Sequence, residues 1–150
     1  CEPRVAHASF GGARRDWLGE KAASNGGNTA VWAVSRRRLR YVMDNDWGMK
    51  LLMNVWREGC AVAKALGVGD IWPLIEADIG HLRENLGDYY PSMAQDAVLH
   101  HRQTEINVLN GAIARYGERL GIPTPYNSVL ADLISCIQDN YSNQYGMENG

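Results

Sequence analysis

Apolar residues recur along this chain at steps of three and four, the spacing that puts side chains on one face of a helix. Between Asp46 and Leu66 the positions Leu52, Val55, Gly59, Val62 and Leu66 follow that rhythm, with Asp46 placed to cap the start and Gly67 suited to a left-handed stop. A second helix is predicted from about Pro73, a residue favoured in a first turn, through Ile75, Ile79, Leu82 and Leu86 to Gly87. Its apolar face is narrow. Ser92 followed by Gln95 forms a capping-box pattern and predicts a short helix to about His100. Thr104 reads as the cap of a longer helix whose stripe is Ile106, Leu109, Ile113, Tyr116 or Gly117, and Leu120, ended by Gly121 and the following "IPTP". A last helix is expected from about Tyr126 to Tyr141, with Leu130, Leu133, Ile134 and Ile137 inward.

The N-terminal third is less regular. Trp32 to Asn45 reads as one helix carrying Trp32, Leu39, Val42 and Met43 inward, and Trp17 to Ser24 as a shorter one. Paired glycines at 11–12 and 26–27 weaken that region, since each costs a helix about 0.8–1 kcal/mol relative to alanine. No segment alternates apolar and polar residues for long, so strands are not expected. The pattern therefore predicts an all-α, compact multi-helix bundle forming one domain over residues 1–150.

Composition changes this picture little. Of the 150 residues 45% are apolar and 21% charged, with a formal charge of −2 and a pI near 6.1, an ordinary globular balance. It favours neither nucleic acid nor membrane as a partner. The "RRRLR" cluster at Arg36 to Arg40 has Asp44 and Asp46 close by and reads as a solvated helix face. The five tryptophans are spread over different segments and are expected in the core. Cys1, Cys60 and Cys136 are far apart and lack metal spacing, so they read as core thiols of a reduced, cytoplasmic protein. His100 and His101 adjoin without a further ligand on their face, and no metal is expected.

One stretch carries more than periodicity. "PSMAQD", then "R-x-T-E-I-N-x-L-N-G", then "LGIPTPYN", spanning Pro91 to Asn127, resembles the C-terminal helical domain of ketopantoate reductase (2-dehydropantoate 2-reductase), a fold akin to the C-terminal domain of 6-phosphogluconate dehydrogenase. "KALG" at Lys64 to Gly67 and "KAASNGGN" at Lys21 to Asn28 extend the likeness upstream, so that it covers roughly Lys21 to Ile137.

The resemblance implies an oxidoreductase in pantothenate biosynthesis, in which NADPH delivers hydride to the keto carbon of ketopantoate or a related 2-keto acid. It implies Lys21 as the proton donor and Glu105 as the carboxylate that orients it. A carboxylate in a helix's first turn is favoured by the macrodipole and stays ionised, which suits that role. Asn25 and Asn28 stand four and seven residues after Lys21, on one helical face, and match amides that hydrogen-bond the substrate. Ser92 matches a serine that contacts the substrate, at a helix N-terminus where anions are favoured.

Tyr89 stands where some family members carry an asparagine near the substrate, so the choice of 2-keto acid is left open. No G-x-G-x-x-G turn occurs, so NADPH is expected to be bound by an upstream dinucleotide-binding domain outside this chain. A homodimer also stays open, as does a rival reading: a non-catalytic helical dimerisation or interaction module that has lost the cofactor domain.

Overall fold

The computed structural model describes residues 28–85 and 87–146. Among them stand seven α-helices and no strand: α1 (Thr29–Ser35), α2 (Leu39–Met43), α3 (Asp46–Ala65), α4 (Trp72–Asn85), α5 (Ser92–Ala94), α6 (Asn110–Leu120) and α7 (Pro125–Asp139). A π-helical turn, Gln95–His100, continues α5, and a 3-10 turn, Tyr141–Asn143, follows α7. The expected all-α bundle is the architecture found. The helix expected over Trp17 to Ser24, like Leu86, lies outside the described residues.

The long helix α3 forms where its periodicity places it, and Leu52, Val55, Gly59 and Val62 are all buried. Its cap is Asn45 rather than Asp46: the Asn45 side chain accepts from the backbone N–H of Gly48 at 3.0 Å. Asn45 is still extended, whereas Asp46 is already helical, and only a residue outside the helix can turn its side chain back onto the first N–H groups. Helices α6 and α7 pack side by side and both rest on α3, while α1 lies against α5 and α7. Trp32, Trp56, Leu52, Ile75, Ile106, Ile113 and Ile134 fill the space between them. Gly117 makes the α6–α7 corner possible. A Cβ there would stand 2.6 Å from Thr124 Cγ2 and 2.8 Å from the Ile122 carbonyl, so only glycine admits the "IPTP" segment this close.

Two other predicted helices are divided. The stretch from Trp32 to Asn45 is two helices broken at Arg36, which takes the left-handed conformation at φ 55°. The break is sustained by distant partners: Leu39 N–H donates to the Tyr89 carbonyl at 3.0 Å and Arg40 N–H to that of Gly87 at 2.9 Å. Those bonds satisfy N–H groups that begin a helix and have no partner within it. The helix expected from Thr104 likewise opens as a turn and becomes regular only at Asn110, because Leu109 departs from helical geometry at φ −102°, ψ −98°. Ile106 and Leu109 are nonetheless buried as the pattern requires.

Several single expectations are corrected. Leu120 and Leu133 are exposed, as is Trp47 at 76%, with Lys50 Nζ 5.5 Å above its ring. Trp32 and Trp56 do lie in the core. Cys136 is exposed and Cys60 only half-buried, so neither is a core thiol. No described helix is long and apolar enough to cross a membrane.

Candidate functional site

Two of the residues singled out in the sequence meet. Asn28 precedes the first turn of α1, Ser92 opens α5, and the packing of α1 on α5 brings both into the wall of one cleft of about 240 Å³. Asn28 is only 2% exposed, yet its side-chain oxygen has no hydrogen-bond partner among the described residues. A buried amide oxygen without a donor is costly, by about 1–3 kcal/mol, and native structures hold few of them.

Ser92 is equally uncommitted. Its expected capping bond is not made, and Gln95 does not reach back to it; the Gln95 amide donates instead to the Tyr90 carbonyl at 2.7 Å. The reason is local geometry. Ser92 is already helical, Pro91 is the residue outside the helix, and proline has no side-chain acceptor. The hydroxyl is exposed at the cleft. Helix α5 has three residues before the wider π turn begins, so its dipole contributes far less than a long helix would.

The other walls are Trp32, Leu39, Leu82, Tyr89 and Pro91. Trp32 is fixed in orientation by its indole N–H, which donates to the Leu39 carbonyl at 3.3 Å. Tyr89 sits on a loop tied to α2 at several points. Besides the two backbone bonds to Leu39 and Arg40, Arg40 Nε stands 3.3 Å from Asp88 Oδ1 and Arg38 Nη1 donates to the Asp88 carbonyl at 3.2 Å. The arginine cluster, read from sequence as a solvated face, is exposed as expected but also fastens this wall. No local pattern announces that role, because Asp88 is 48 positions from Arg40.

Glu105 lies elsewhere. It is exposed, is not part of the cleft wall, and occupies the turn before α6 instead of the first turn of a helix. Its own carbonyl accepts from Val108 and Leu109 N–H, both at 3.1 Å. The neighbouring Thr104 hydroxyl donates to Gln138 Oε1 at 2.8 Å and so locks this turn to α7. Lys21 and Asn25 lie outside the described residues.

The two asparagines that end the recognisable motifs have a different fate. Asn110 Nδ2 donates to Asn127 Oδ1 at 3.0 Å, and Asn127 Nδ2 donates to the Glu58 carboxylate at 2.7 Å and to the Val55 carbonyl at 3.3 Å. Glu58 also accepts from the backbone N–H groups of Tyr126 and Asn127, both at 2.9 Å, capping α7 from a different helix. This clasp is scaffold. Sequence reasoning misses Glu58, which has no signal beyond its place on α3.

Other reactive groups offer less. Burial, with the Asp70 carboxylate adding to it, pushes the Cys60 thiol up to about 11, so the nucleophilic thiolate is scarce at neutral pH. Among the described residues no group of three or more His, Cys, Asp or Glu side chains is placed to hold a metal ion.

Comparison with known proteins points the same way as the motifs. The family model described as "Ketopantoate reductase PanE/ApbA C terminal" matches residues 14–138. The 2-dehydropantoate 2-reductase of Streptococcus pyogenes is 32% identical over 114 residues, covering 76% of this chain and 37% of that protein. That of Pyrococcus abyssi is 30% identical over 121 residues, covering 79% and 39%. The chain thus spans well under half the length of these relatives. Among solved structures, a D-mandelate dehydrogenase with NADH and anilino(oxo)acetate superposes with a TM-score of 0.72 at 26% identity, over 86% of this chain and 41% of that one. A PanE/ApbA family ketopantoate reductase from Ralstonia eutropha gives 0.69 at 29% identity, over 86% and 41%. With a helical bundle of the same shape and a family match over most of its length, this chain belongs to the ketopantoate reductase C-terminal domain family.

Proposed function

We propose that this chain is the substrate-binding, proton-delivering half of a ketopantoate reductase-like oxidoreductase. It would act in the cytoplasm on ketopantoate or a related 2-keto acid, giving pantoate for pantothenate biosynthesis. The observation that carries this reading is the unsatisfied Asn28 oxygen in the same cleft as the free Ser92 hydroxyl. An amide can turn its NH2 toward a keto oxygen and its oxygen toward a hydroxyl, so Asn28 can serve both the 2-keto acid and the 2-hydroxy acid. Ser92 would hold the carboxylate edge.

The cleft is too small for a dinucleotide at about 240 Å³, and among the described residues its wall holds no charged side chain. NADPH is therefore assigned to an upstream dinucleotide-binding domain, from which it supplies hydride. This chain's own share is the proton. Lys21 Nζ would transfer it to the keto oxygen as negative charge develops there, with Glu105 orienting the ammonium and Asn25 adding a second amide. The exposure of Glu105 leaves its carboxylate accessible for that pairing.

Isothermal calorimetry of ketopantoate and pantoate tests the cleft. Each acid should bind the wild-type chain, and Ser92→Ala and Asn28→Ala should each weaken binding by about tenfold or more, the loss of one buried hydrogen bond to a charged or polar ligand. Wild-type protein that takes up neither acid at millimolar concentration overturns the proposal.

A second reading, a non-catalytic dimerisation module, draws support from a specific surface. Val34, Tyr126, Val129 and Leu133 are exposed side by side along one apolar groove, a face suited to a second copy. The ketopantoate reductase of Staphylococcus aureus, a structural relative at 21% identity, is dimeric. Dimerisation in the absence of any keto-acid binding would favour this reading.

A further inference from the structure

A second cavity, of about 360 Å³, lies at the other end of α1. The keto-acid cleft takes Asn28 and Thr29 from the start of that helix, whereas this cavity takes Ala33 and Arg36 from its end, and the two share no wall residue. Ala97 and Val98 of the π-helical turn form another side, and Cys136 and Ile137 of α7 a third. Two uncommon backbone conformations thus meet at one place. Arg36 is held left-handed at φ 55°, and a π turn is a wider coil than an α-helix, a form that recurs at functional sites.

The chemistry of the cavity is lopsided. Arg36 is the one charged side chain among its described walls, and that guanidinium makes no ion pair or hydrogen bond with any described residue. Asn140 donates through its NH2 to the Cys136 carbonyl at 2.9 Å, which leaves its amide oxygen free, and Gln144 adds a second amide. The rest is hydrocarbon: Ala33 and Ala97 are buried, and Val98 and Ile137 are half-buried. A planar guanidinium takes a carboxylate through two parallel N–H···O bonds. A phosphate, with up to two charges, calls for more cations or a row of backbone N–H groups. Apolar walls beside one cation suit an acid whose body is aliphatic, and about 360 Å³ falls at the small end of the roughly 300–1,000 Å³ of small-molecule pockets.

We propose that this cavity is a second ligand site, which takes a small aliphatic monocarboxylic acid with its carboxylate on Arg36 and its hydrocarbon against Ala97, Val98 and Ile137. The site stands whether or not the cleft at Asn28 binds a keto acid.

Alkylation of Cys136 by iodoacetamide, followed peptide by peptide with mass spectrometry at fixed ionic strength, tests it. Cys136 is exposed in the wall, so an occupant shields it, while Cys60, with its scarce thiolate, gives the background rate. The probes are 4-methylpentanoate and its neutral amide, 4-methylpentanamide, which share one hydrocarbon and differ in charge. On wild type the acid should slow Cys136 alkylation saturably, with half of the effect at millimolar concentration, and the amide should need about five- to tenfold more. Arg36→Gln should bring the acid down to the level of the amide, and Val98→Asp, which sets a like charge in the wall, should abolish protection by the acid. The Arg36 side chain is exposed, so Arg36→Gln should melt within a few degrees of wild type, which a thermal scan checks.

Cys136 alkylated at an unchanged rate under about 20 mM acid would overturn the proposal. Equal protection of wild type by acid and amide would do the same, and that comparison needs no variant. Undiminished protection of Arg36→Gln by the acid would also overturn it, since the arginine is what selects a carboxylate.

Discussion

The molecule holds its buried amides in two opposite ways. In the clasp, Asn127 is fully buried and its amide is matched at both ends: its oxygen takes a bond from Asn110, its NH2 serves Glu58 and Val55, and its backbone N–H goes to Glu58. In the cleft, Asn28 is nearly as deep and its oxygen is matched by nothing among the described residues. The first arrangement ties α3, α6 and α7 together and leaves no vacancy for a ligand. The second sacrifices stability and leaves a vacancy of defined polarity. An amide bonded to several helices at once is a sign of folding, and a buried amide oxygen that opens onto a cleft is a place for a ligand.

That contrast can be broken by mutation. The largest effect is expected at the clasp: Asn127→Ala strips partners from Asn110 and Glu58 at once and should cost about 2–4 kcal/mol. For a chain of this size that lowers Tm by about 5–15 °C in a thermal scan. A loss below about 1 kcal/mol would mean the clasp is no firmer than a surface contact. At the cleft the sign should differ. Asn28→Leu removes the orphaned oxygen and should leave stability unchanged or raise it by up to about 1–2 kcal/mol, while keto-acid binding vanishes. A strongly destabilised Asn28→Leu variant would show that the amide is structural after all. The smallest effect belongs to Arg40→Ala. Its pair with Asp88 is half-exposed on both sides and contributes under about 1 kcal/mol, so Tm should move by no more than a few degrees. Its mark should be on affinity instead, as the loop carrying Tyr89 loses one of its ties. Affinity unchanged alongside a large Tm shift would reverse that assignment.

How far the sequence can be read follows from where each element finds its partners. Helix α3 and the end of α6 are legible because their own periodicity and the left-handed Gly67 and Gly121 specify them. The breaks at Arg36 and Leu109 are not, since the carbonyls of Gly87 and Tyr89 that sustain the first lie some 50 positions away. The motifs name the family correctly, yet their asparagines at 110 and 127 build the scaffold, and the cleft gathers Asn28 with Tyr89 and Ser92 from two distant segments. Side-chain chemistry alone marks an asparagine as polar; only packing decides whether it is answered. Trp47 makes the same point in reverse, an aromatic that periodicity alone could not place outside.

The Glu58 link has one more consequence, in time. The bonds from Glu58 reach residues 68 and 69 positions further along the chain. At the roughly 5–20 residues per second at which ribosomes extend a protein, that separation amounts to about 3–14 s. Through that interval the Glu58 carboxylate faces water. Of the helices that pack on α3 only α1 and α2 have then been made, so part of the apolar stripe of the longest helix waits for α6 and α7 at the end of the chain.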